Sequence, residues 1–166
     1  MNWPKIENVE TVSSPGLLVD LERVTANTQT MIAMVGGADS VSRLRPHVKT
    51  HKMPDIVRLQ VAAGIQKFKA ATIAEADMVA GAGGRDVLLS YQLVGPNVER
   101  FANLRRLYAK TSFAAVVDDV GVVETIAEQI GDSRQPIRLF IDVDCGMHRT
   151  GIALGVEMQR LRERIE

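Results

Sequence analysis

The side chains best suited to covalent chemistry in this 166-residue sequence are concentrated in one short segment, RPHVKTHK, residues 45–52. Its basic or imidazole residues are Arg45, His47, Lys49, His51 and Lys52. A lysine amine becomes nucleophilic, and can form a Schiff base, when burial or neighbouring positive charge lowers its pKa. Lys49 follows a predicted strand, and the other four residues are candidates to supply that charge. The alternative interpretation is a solvated basic loop that binds nothing.

A second candidate site is the segment IDVDCGMHRTG, residues 141–151. An apolar strand ends in Asp142 and Asp144, Gly146 permits a tight turn, and Arg149 follows. An arginine held at that place can present a planar cationic fork to an anionic oxygen. The alternative is a turn with an exposed arginine. The two aspartates, spaced by two residues, are predicted to face the same side. We expect them to be solvated or paired with arginine rather than bound to a metal.

The elements that must position these segments alternate between short β-rich runs and longer helical patterns, without a linker between them. The predicted strands are 16–21, 42–48, 67–71, 86–90, 112–117 and 137–143, and the predicted helices are 21–35, 54–63, 73–82, 97–110, 120–130 and one starting near Gly155. This alternation predicts one α/β domain of right-handed parallel βα units. Two architectures fit these units. A doubly wound sheet would be complete at this length, whereas a (β/α)8 barrel typically takes about 250 residues and would be cut off here. The run GAGG, 81–84, is predicted to end a helix rather than hold a phosphate.

Composition excludes several classes of function. Lys and Arg, 20 in total, balance 20 Asp and Glu, and no long basic tract is present, so nucleic acid is not the expected partner. The single cysteine, Cys145, rules out an internal disulfide. The N-terminal residues lack the apolar run of a secretory signal, and no stretch reaches the roughly 18 apolar residues of a membrane span. We therefore expect a cytoplasmic protein without membrane or nucleic-acid contacts.

Five segments together resemble a known family. They are SPGLLVDL, RPHVKTHK, ATIAEA, LLSYQLVGP and IDVDCGMHRTGI, in this order between about Ser14 and Ile152. The sequence is similar to the N-terminal part of the D-threonine aldolase and D-serine dehydratase family, pyridoxal phosphate enzymes of the alanine racemase type. The resemblance implies a parallel (β/α) barrel, of which residues 1–166 form the N-terminal part, cut off after about five strands and without the C-terminal β domain.

The resemblance also implies roles for individual residues. Lys49 matches the lysine that holds pyridoxal phosphate as an internal aldimine, and Arg149 matches an arginine that approaches the phenolic oxygen of the cofactor. His47 and His51 flank the lysine, where they tune its protonation or serve as hydrogen-bonded wall residues. His47 is included among the expected cofactor-binding residues. Thr72 and Glu75 lie in a family-like segment, but helix capping accounts for Thr72 equally well, and both are left out of the catalytic set.

The function implied by the resemblance is that of a pyridoxal-phosphate-dependent lyase acting on D-amino acids. Retro-aldol cleavage of β-hydroxy-D-amino acids is preferred, and D-serine dehydratase, racemase or a catalytically incomplete fragment are the alternatives. Racemases of this type have a lysine where Asp142 stands and a tyrosine where Met53 stands, which disfavours racemisation.

The resemblance further implies partners outside this chain. A divalent metal ion, Mn, Zn or Mg, is expected, and its ligands are expected to lie beyond Glu166. A homodimer is also expected. The 166-residue chain alone is expected to be inactive.

Overall fold

The computed structural model describes residues 5–131 and 136–166. Its helices are α1 (Leu21–Met34), α2 (Pro54–Ala62), α3 (Ile73–Gly81), α4 (Asn97–Leu107), α5 (Val120–Ile130) and α6 (Val156–Ile165). Its strands are β1 (Lys67–Ala70), β2 (Asp86–Leu89), β3 (Ser112–Val117) and β4 (Arg138–Ile141), and short 3-10 turns occupy Val9–Thr11, Ala38–Arg43 and Val48–Thr50.

The four strands form one parallel sheet in the order β1-β2-β3-β4. Each strand pairs with the next strand along the chain, and a helix connects them, as in successive βα units. The predicted α/β class with parallel strands is therefore confirmed. Within the described residues the strand order does not reverse, so the sheet has no switch point of the kind that defines a doubly wound nucleotide-binding fold. All four strands end at the same edge of the sheet, where the candidate segments lie.

The two faces of the sheet differ in polarity. Helices cover the face that carries Phe68, Val87 and Val117, which are almost fully buried in the main hydrophobic core. The other face carries the charged residues Lys67, Lys69, Asp86 and Arg138 together with the apolar residues Leu88, Ala114, Val116 and Phe140. Such polar side chains on a parallel strand need partners, because parallel sheets are normally buried on both faces.

An ion network on this polar face meets that need in part. Asp86 at the start of β2 accepts a hydrogen bond of 2.7 Å from the Arg45 guanidinium and lies 3.0 Å from the Arg138 guanidinium. Burial by itself raises the pKa of Asp86, but the hydrogen bonds from Arg45 and Arg138 outweigh it and bring the pKa below its usual value. Arg45 thereby joins the segment before β1 to β2.

Local chemistry sets the ends of the helices. The side chains of Asp20, Thr72 and Asp119 each accept a backbone N–H from the first turn of α1, α3 and α5, respectively. The run GAGG ends α3 as predicted, because the N–H of Gly84 donates to the carbonyl of Val79 and Gly83 has φ of +100°. Thr72 is thus a helix cap.

Two predicted strands do not form. Residues 16–20 are irregular, and Asp20 caps α1 instead of continuing a strand. In the segment 42–48, residues up to Arg43 belong to a 3-10 turn, and only His47 forms a bridge, to Lys69 of β1. The carbonyl of Pro46 accepts the Lys69 N–H at 2.8 Å. The ladder does not extend further, because Pro46 has no N–H to donate. The segment still lies beside β1.

Candidate active site

The first half of the site is a loop, residues 47–52, which we call the lysine loop. The bridge between His47 and Lys69 fixes its start at the carboxyl end of β1. Val48 begins a 3-10 turn and is completely buried in the core. The backbone N–H of Lys49 donates to Nδ1 of His47 at 3.3 Å, and the side chain of Lys49 is exposed. The loop is therefore packed against the core through Val48, while the side chain of Lys49 is open to solvent.

The basic side chains of this segment differ in whether they have partners. Arg45 is bound to Asp86, Nζ of Lys52 lies 3.8 Å from Oε1 of Glu75, and Nδ1 of His51 accepts the N–H of Met53 at 3.0 Å. The Lys49 amine forms no ion pair or hydrogen bond with any residue in 5–131 or 136–166. An exposed primary amine without a partner is available to react with a carbonyl compound.

The two histidines do not add positive charge at neutral pH. Burial lowers the pKa of His47, and the neighbouring charges of Lys49 and Lys69 lower it further. Burial also lowers the pKa of His51, although Glu75 opposes this change. The positive charge near Lys49 is therefore smaller than the sequence alone suggested. Arg45 and Lys52 are paired with carboxylates, and the two histidines are neutral and accept backbone N–H groups.

Beneath the lysine loop lies a buried carboxylate, Glu75 of α3, which is only 6% exposed. Its Oε2 accepts the backbone N–H of Ala71 at 2.7 Å, while its own N–H donates to Thr72. This exchange resembles a capping box at the start of α3. The same carboxylate faces Lys52, and its negative charge opposes the lowering of the pKa of His47 and His51 by burial. Glu75 therefore joins the start of α3 to the lysine loop.

The second half of the site is the loop 143–152 after β4, which we call the arginine loop. Its ends are joined by a bridge between Val143 and Ile152. Inside it, Oδ1 of Asp144 accepts the N–H groups of Gly146 and His148 at 2.9 and 3.0 Å, and Oδ2 lies 2.7 Å from the His148 ring. The hydrogen bonds from His148 and Gly146 hold the pKa of Asp144 below its usual value. Arg149 is exposed, and its side chain has no ion pair within the described ranges.

A polar cluster joins three neighbouring strand ends. Nε2 of Gln92, after β2, donates to Oδ2 of Asp118 at 2.7 Å and to Oδ2 of Asp142 at 3.1 Å. Asp118 also accepts the N–H of Gly151 at 3.1 Å. Asp142 and Asp144 thus contact amide groups and an imidazole rather than an arginine, which was one of the two expected alternatives. Sequence reasoning did not identify Gln92 or Asp118, although both follow predicted strands directly.

The structure therefore brings some predicted site residues together and leaves others apart. His47 and Lys49 share a hydrogen bond. Arg149 lies in the loop after the last strand of the sheet, whereas Lys49 lies beside the first, and no contact between them is present. In the described part of the chain, no group of three or more His, Cys, Asp or Glu side chains is arranged to hold a metal ion. No helix there is long and apolar enough to cross a membrane.

These features define a parallel α/β protein with an unpaired lysine, an exposed arginine and a carboxylate cluster at the carboxyl edge of its sheet. Comparison with known proteins gives the family: the model of the alanine racemase N-terminal domain matches residues 19–166. The chain belongs to this family, as its resemblance to enzymes of the alanine racemase type predicted, and it has the alanine racemase type of α/β fold.

Two curated relatives are similar over most of this chain. A D-threonine aldolase from Arthrobacter sp. and a D-threo-3-hydroxyaspartate dehydratase from Delftia sp. (strain HT23) are each 30% identical over 142 residues, or 86% of this chain. The structure of D-threonine aldolase from Filomicrobium marinum superposes with a TM-score of 0.79 at 30% identity, covering 92% of this chain and 40% of that protein. The chain spans 36% of the length of the two curated relatives.

Proposed function

We propose that the protein containing this chain is a pyridoxal-phosphate-dependent lyase that cleaves β-hydroxy-D-amino acids, and that Lys49 binds the cofactor. The observation that carries the proposal is the contrast within residues 45–52. Arg45, His47, His51 and Lys52 are engaged with carboxylates or backbone N–H groups, whereas the Lys49 amine is exposed and unpaired. The relatives named as D-threonine aldolase and hydroxyaspartate dehydratase support the same reaction class.

The residues present fit pyridoxal phosphate by the chemistry of their donor groups. An aldehyde needs a primary amine, which Lys49 offers in an exposed position. A phenolic oxygen that carries negative charge suits a guanidinium, and Arg149 is exposed at the same edge of the sheet without a competing carboxylate among the described residues. We therefore assign Lys49 and Arg149 to cofactor binding, with His47 as a neighbour.

The protein residues divide the work around the reacting centre. When bound, pyridoxal phosphate supplies an electron sink for the negative charge that develops at Cα. Lys49 would hold the cofactor, and its amine would be a base available to move a proton at Cα. His47 holds the Lys49 backbone through Nδ1, which leaves its remaining ring proton on Nε2. Its lowered pKa keeps it neutral, so it adds no positive charge beside the lysine.

The preferred reaction is retro-aldol cleavage. The bond between Cα and Cβ breaks, the β-hydroxyl loses its proton and becomes an aldehyde, and Cα gains a proton to leave glycine. A divalent metal ion, Mn, Zn or Mg, would stabilise the negative charge that develops on the β-oxygen, and the described residues of this chain contain no group of side chains arranged to hold it. We also propose that residues 1–166 form the N-terminal part of a barrel domain in a cytoplasmic homodimer.

Dehydration is the second candidate, because the dehydratase relative is as similar to this chain as the aldolase relative is. Both reactions begin from a β-hydroxy-D-amino acid and differ in the bond that breaks. Loss of the β-hydroxyl as water produces, after hydrolysis, a keto acid and ammonia instead of glycine and an aldehyde.

Product analysis decides between these two reactions. The complete protein that contains this chain, supplied with pyridoxal phosphate and Mn²⁺, Zn²⁺ or Mg²⁺ in turn, is incubated with D-threonine. We expect glycine and acetaldehyde in equal amounts, with no reaction by a Lys49→Ala variant. Formation of 2-oxobutanoate and ammonia would establish dehydration instead. Turnover that is undiminished in Lys49→Ala would refute the assignment of Lys49.

A further inference from the structure

The arginine loop is closed on itself, but its internal contacts do not orient it toward the other strands. The N–H of Ile152 donates to the carbonyl of Asp142 at 2.8 Å, and the N–H of Asp144 donates to the carbonyl of Ile152 at 3.0 Å. Together with the bonds that Asp144 accepts, these contacts fix the shape of the loop. They all join residues within 142–152, whose two ends form a parallel bridge.

Contacts with β2 and β3 supply the orientation. Oδ2 of Asp118, directly after β3, accepts the N–H of Gly151, which is 33 residues later in the chain. Gln92, three residues after the end of β2, donates its amide to the same oxygen and to Asp142. A single amide thus lies between two half-buried carboxylates and supplies the donor that each of them needs.

Gly151 is the point at which the loop is held most closely. Its φ of +96° belongs to the left-handed region, and a Cβ atom there would lie 2.7 Å from the backbone nitrogen of Asp144. Only glycine can therefore lie this close to the backbone of residues 142–144, and in that position its N–H reaches Asp118. Because Arg149 precedes Gly151 by two residues, a shift of Gly151 would also displace the guanidinium.

We propose that Gln92 and Asp118 are positioning residues that hold the arginine loop at the carboxyl edge of the sheet, so that Arg149 faces the cofactor. The inference rests on the proposed function in one respect, the assignment of Arg149 to cofactor binding. Neither residue touches the reacting atoms. Asp118 acts through the Gly151 N–H, and Gln92 acts by fixing the orientation of the Asp118 carboxylate.

The test is Asp118→Asn in the complete protein that contains this chain, because asparagine keeps the shape but removes the charge that strengthens both hydrogen bonds. The matched control is Asp119→Asn, the next residue, whose carboxylate caps α5 by accepting the Val122 N–H and does not contact the loop. Three quantities are measured: hydrogen exchange at the Gly151 amide, the dissociation constant of pyridoxal phosphate, and the pH midpoint of the absorbance of the bound cofactor.

We expect Asp118→Asn to speed exchange at Gly151 and to weaken cofactor binding, each by roughly three- to tenfold, and to shift the absorbance midpoint. Asp119→Asn should leave all three quantities unchanged, because asparagine caps a helix about as well as aspartate does. If Asp118→Asn is poorly folded, Gln92→Leu gives the same test with the Gly151 bond retained, and the expected changes are smaller.

Two results would overturn the inference. Unchanged Gly151 exchange in both variants would mean that the cluster does not hold the loop. Equal effects of Asp118→Asn and Asp119→Asn would mean that the changes reflect general destabilisation. Failure of the proposed function gives a different result. If the wild-type protein binds no pyridoxal phosphate, the assignment of Arg149 to cofactor binding is refuted, but hydrogen exchange at Gly151 still shows whether Asp118 and Gln92 hold the arginine loop.

Discussion

The lysine loop and the arginine loop lie at the same edge of the sheet but are held in place by different forces. The lysine loop inserts a completely buried valine, Val48, into the core and rests on the buried carboxylate of Glu75. The arginine loop exposes residues 145–149 in succession and is held mainly by hydrogen bonds to Asp118 and Asp144. The first loop is anchored by the hydrophobic effect, and the second by polar contacts.

This difference separates the stability of the fold from the geometry of the site. Apolar burial contributes about 25 cal/mol per Å², so removing the anchor of the lysine loop destabilises the whole domain. Net contributions of single hydrogen bonds are only about 0.5–1.5 kcal/mol, so the arginine loop can shift without global unfolding. Changes in the first loop should therefore appear in stability, and changes in the second in ligand binding.

The largest expected effect comes from truncating the apolar anchor. Val48→Ala should lower the free energy of unfolding by about 2 kcal/mol, because it removes two buried methyl groups and leaves a cavity. The matched change in the arginine loop is Met147→Ala, where the side chain is 77% exposed, and it should cost less than about 0.5 kcal/mol. Urea unfolding measures both. Equal effects of the two substitutions would contradict the distinction between the loops.

A smaller loss is expected at Glu75. Glu75→Met keeps the side-chain volume but leaves the partly buried N–H of Ala71 without its acceptor, which should lower the free energy of unfolding by about 1 kcal/mol. Glu75→Gln retains an acceptor oxygen and should cost less than half of that. If the two variants unfold at the same urea concentration, the hydrogen bond to Ala71 does not account for the role of Glu75.

In the arginine loop, Arg149→Lys should change ligand binding and not stability. A lysine ammonium does not reproduce the planar guanidinium fork, so the dissociation constant of pyridoxal phosphate should rise by about three- to tenfold. The urea midpoint should stay within error of the wild type, because Arg149 is exposed. Unchanged affinity, measured by absorbance titration, would remove Arg149 from the cofactor site.

The two loops should also lose stability in different ranges of pH. The pKa values of His47 and His51 are below the usual 6.5 in the folded protein, mainly because of burial. The unfolded chain therefore binds more protons as the pH falls below 6.5, and the free energy of unfolding decreases over that range. In the arginine loop, the lowered pKa of Asp144 stabilises the fold above its usual value of 3.8, and this contribution is lost only in stronger acid.

The variant His47→Asn with His51→Asn checks the pH prediction. Asparagine side chains can still accept the backbone N–H groups, but they do not titrate. Urea unfolding between pH 5 and pH 7 should show a smaller pH dependence in the double variant than in the wild type. An identical slope would mean that other groups cause the loss of stability in mild acid.

Much of the fold follows from local sequence, whereas the polar cluster does not. The spacing of apolar residues, the Thr72 cap and the glycines at 81–84 predict helices close to those observed, because these signals act within a few residues. The strand predicted at 42–48 shrinks to one bridge, since Pro46 cannot extend the ladder. The contact between Gln92 and Asp142 spans 50 residues and depends on strand order, which a single sequence does not specify.

Attachment of the cofactor tests the central claim most directly. Reduction with borohydride makes the bond between a lysine amine and pyridoxal phosphate permanent, and peptide mapping by mass spectrometry then locates it. We expect the label on Lys49 alone, because the Lys52 amine is paired with Glu75 and Lys69 lies within strand β1 rather than in the lysine loop. Label on Lys52 or Lys69 in place of Lys49, or no label in a protein that cleaves D-threonine, would contradict the account.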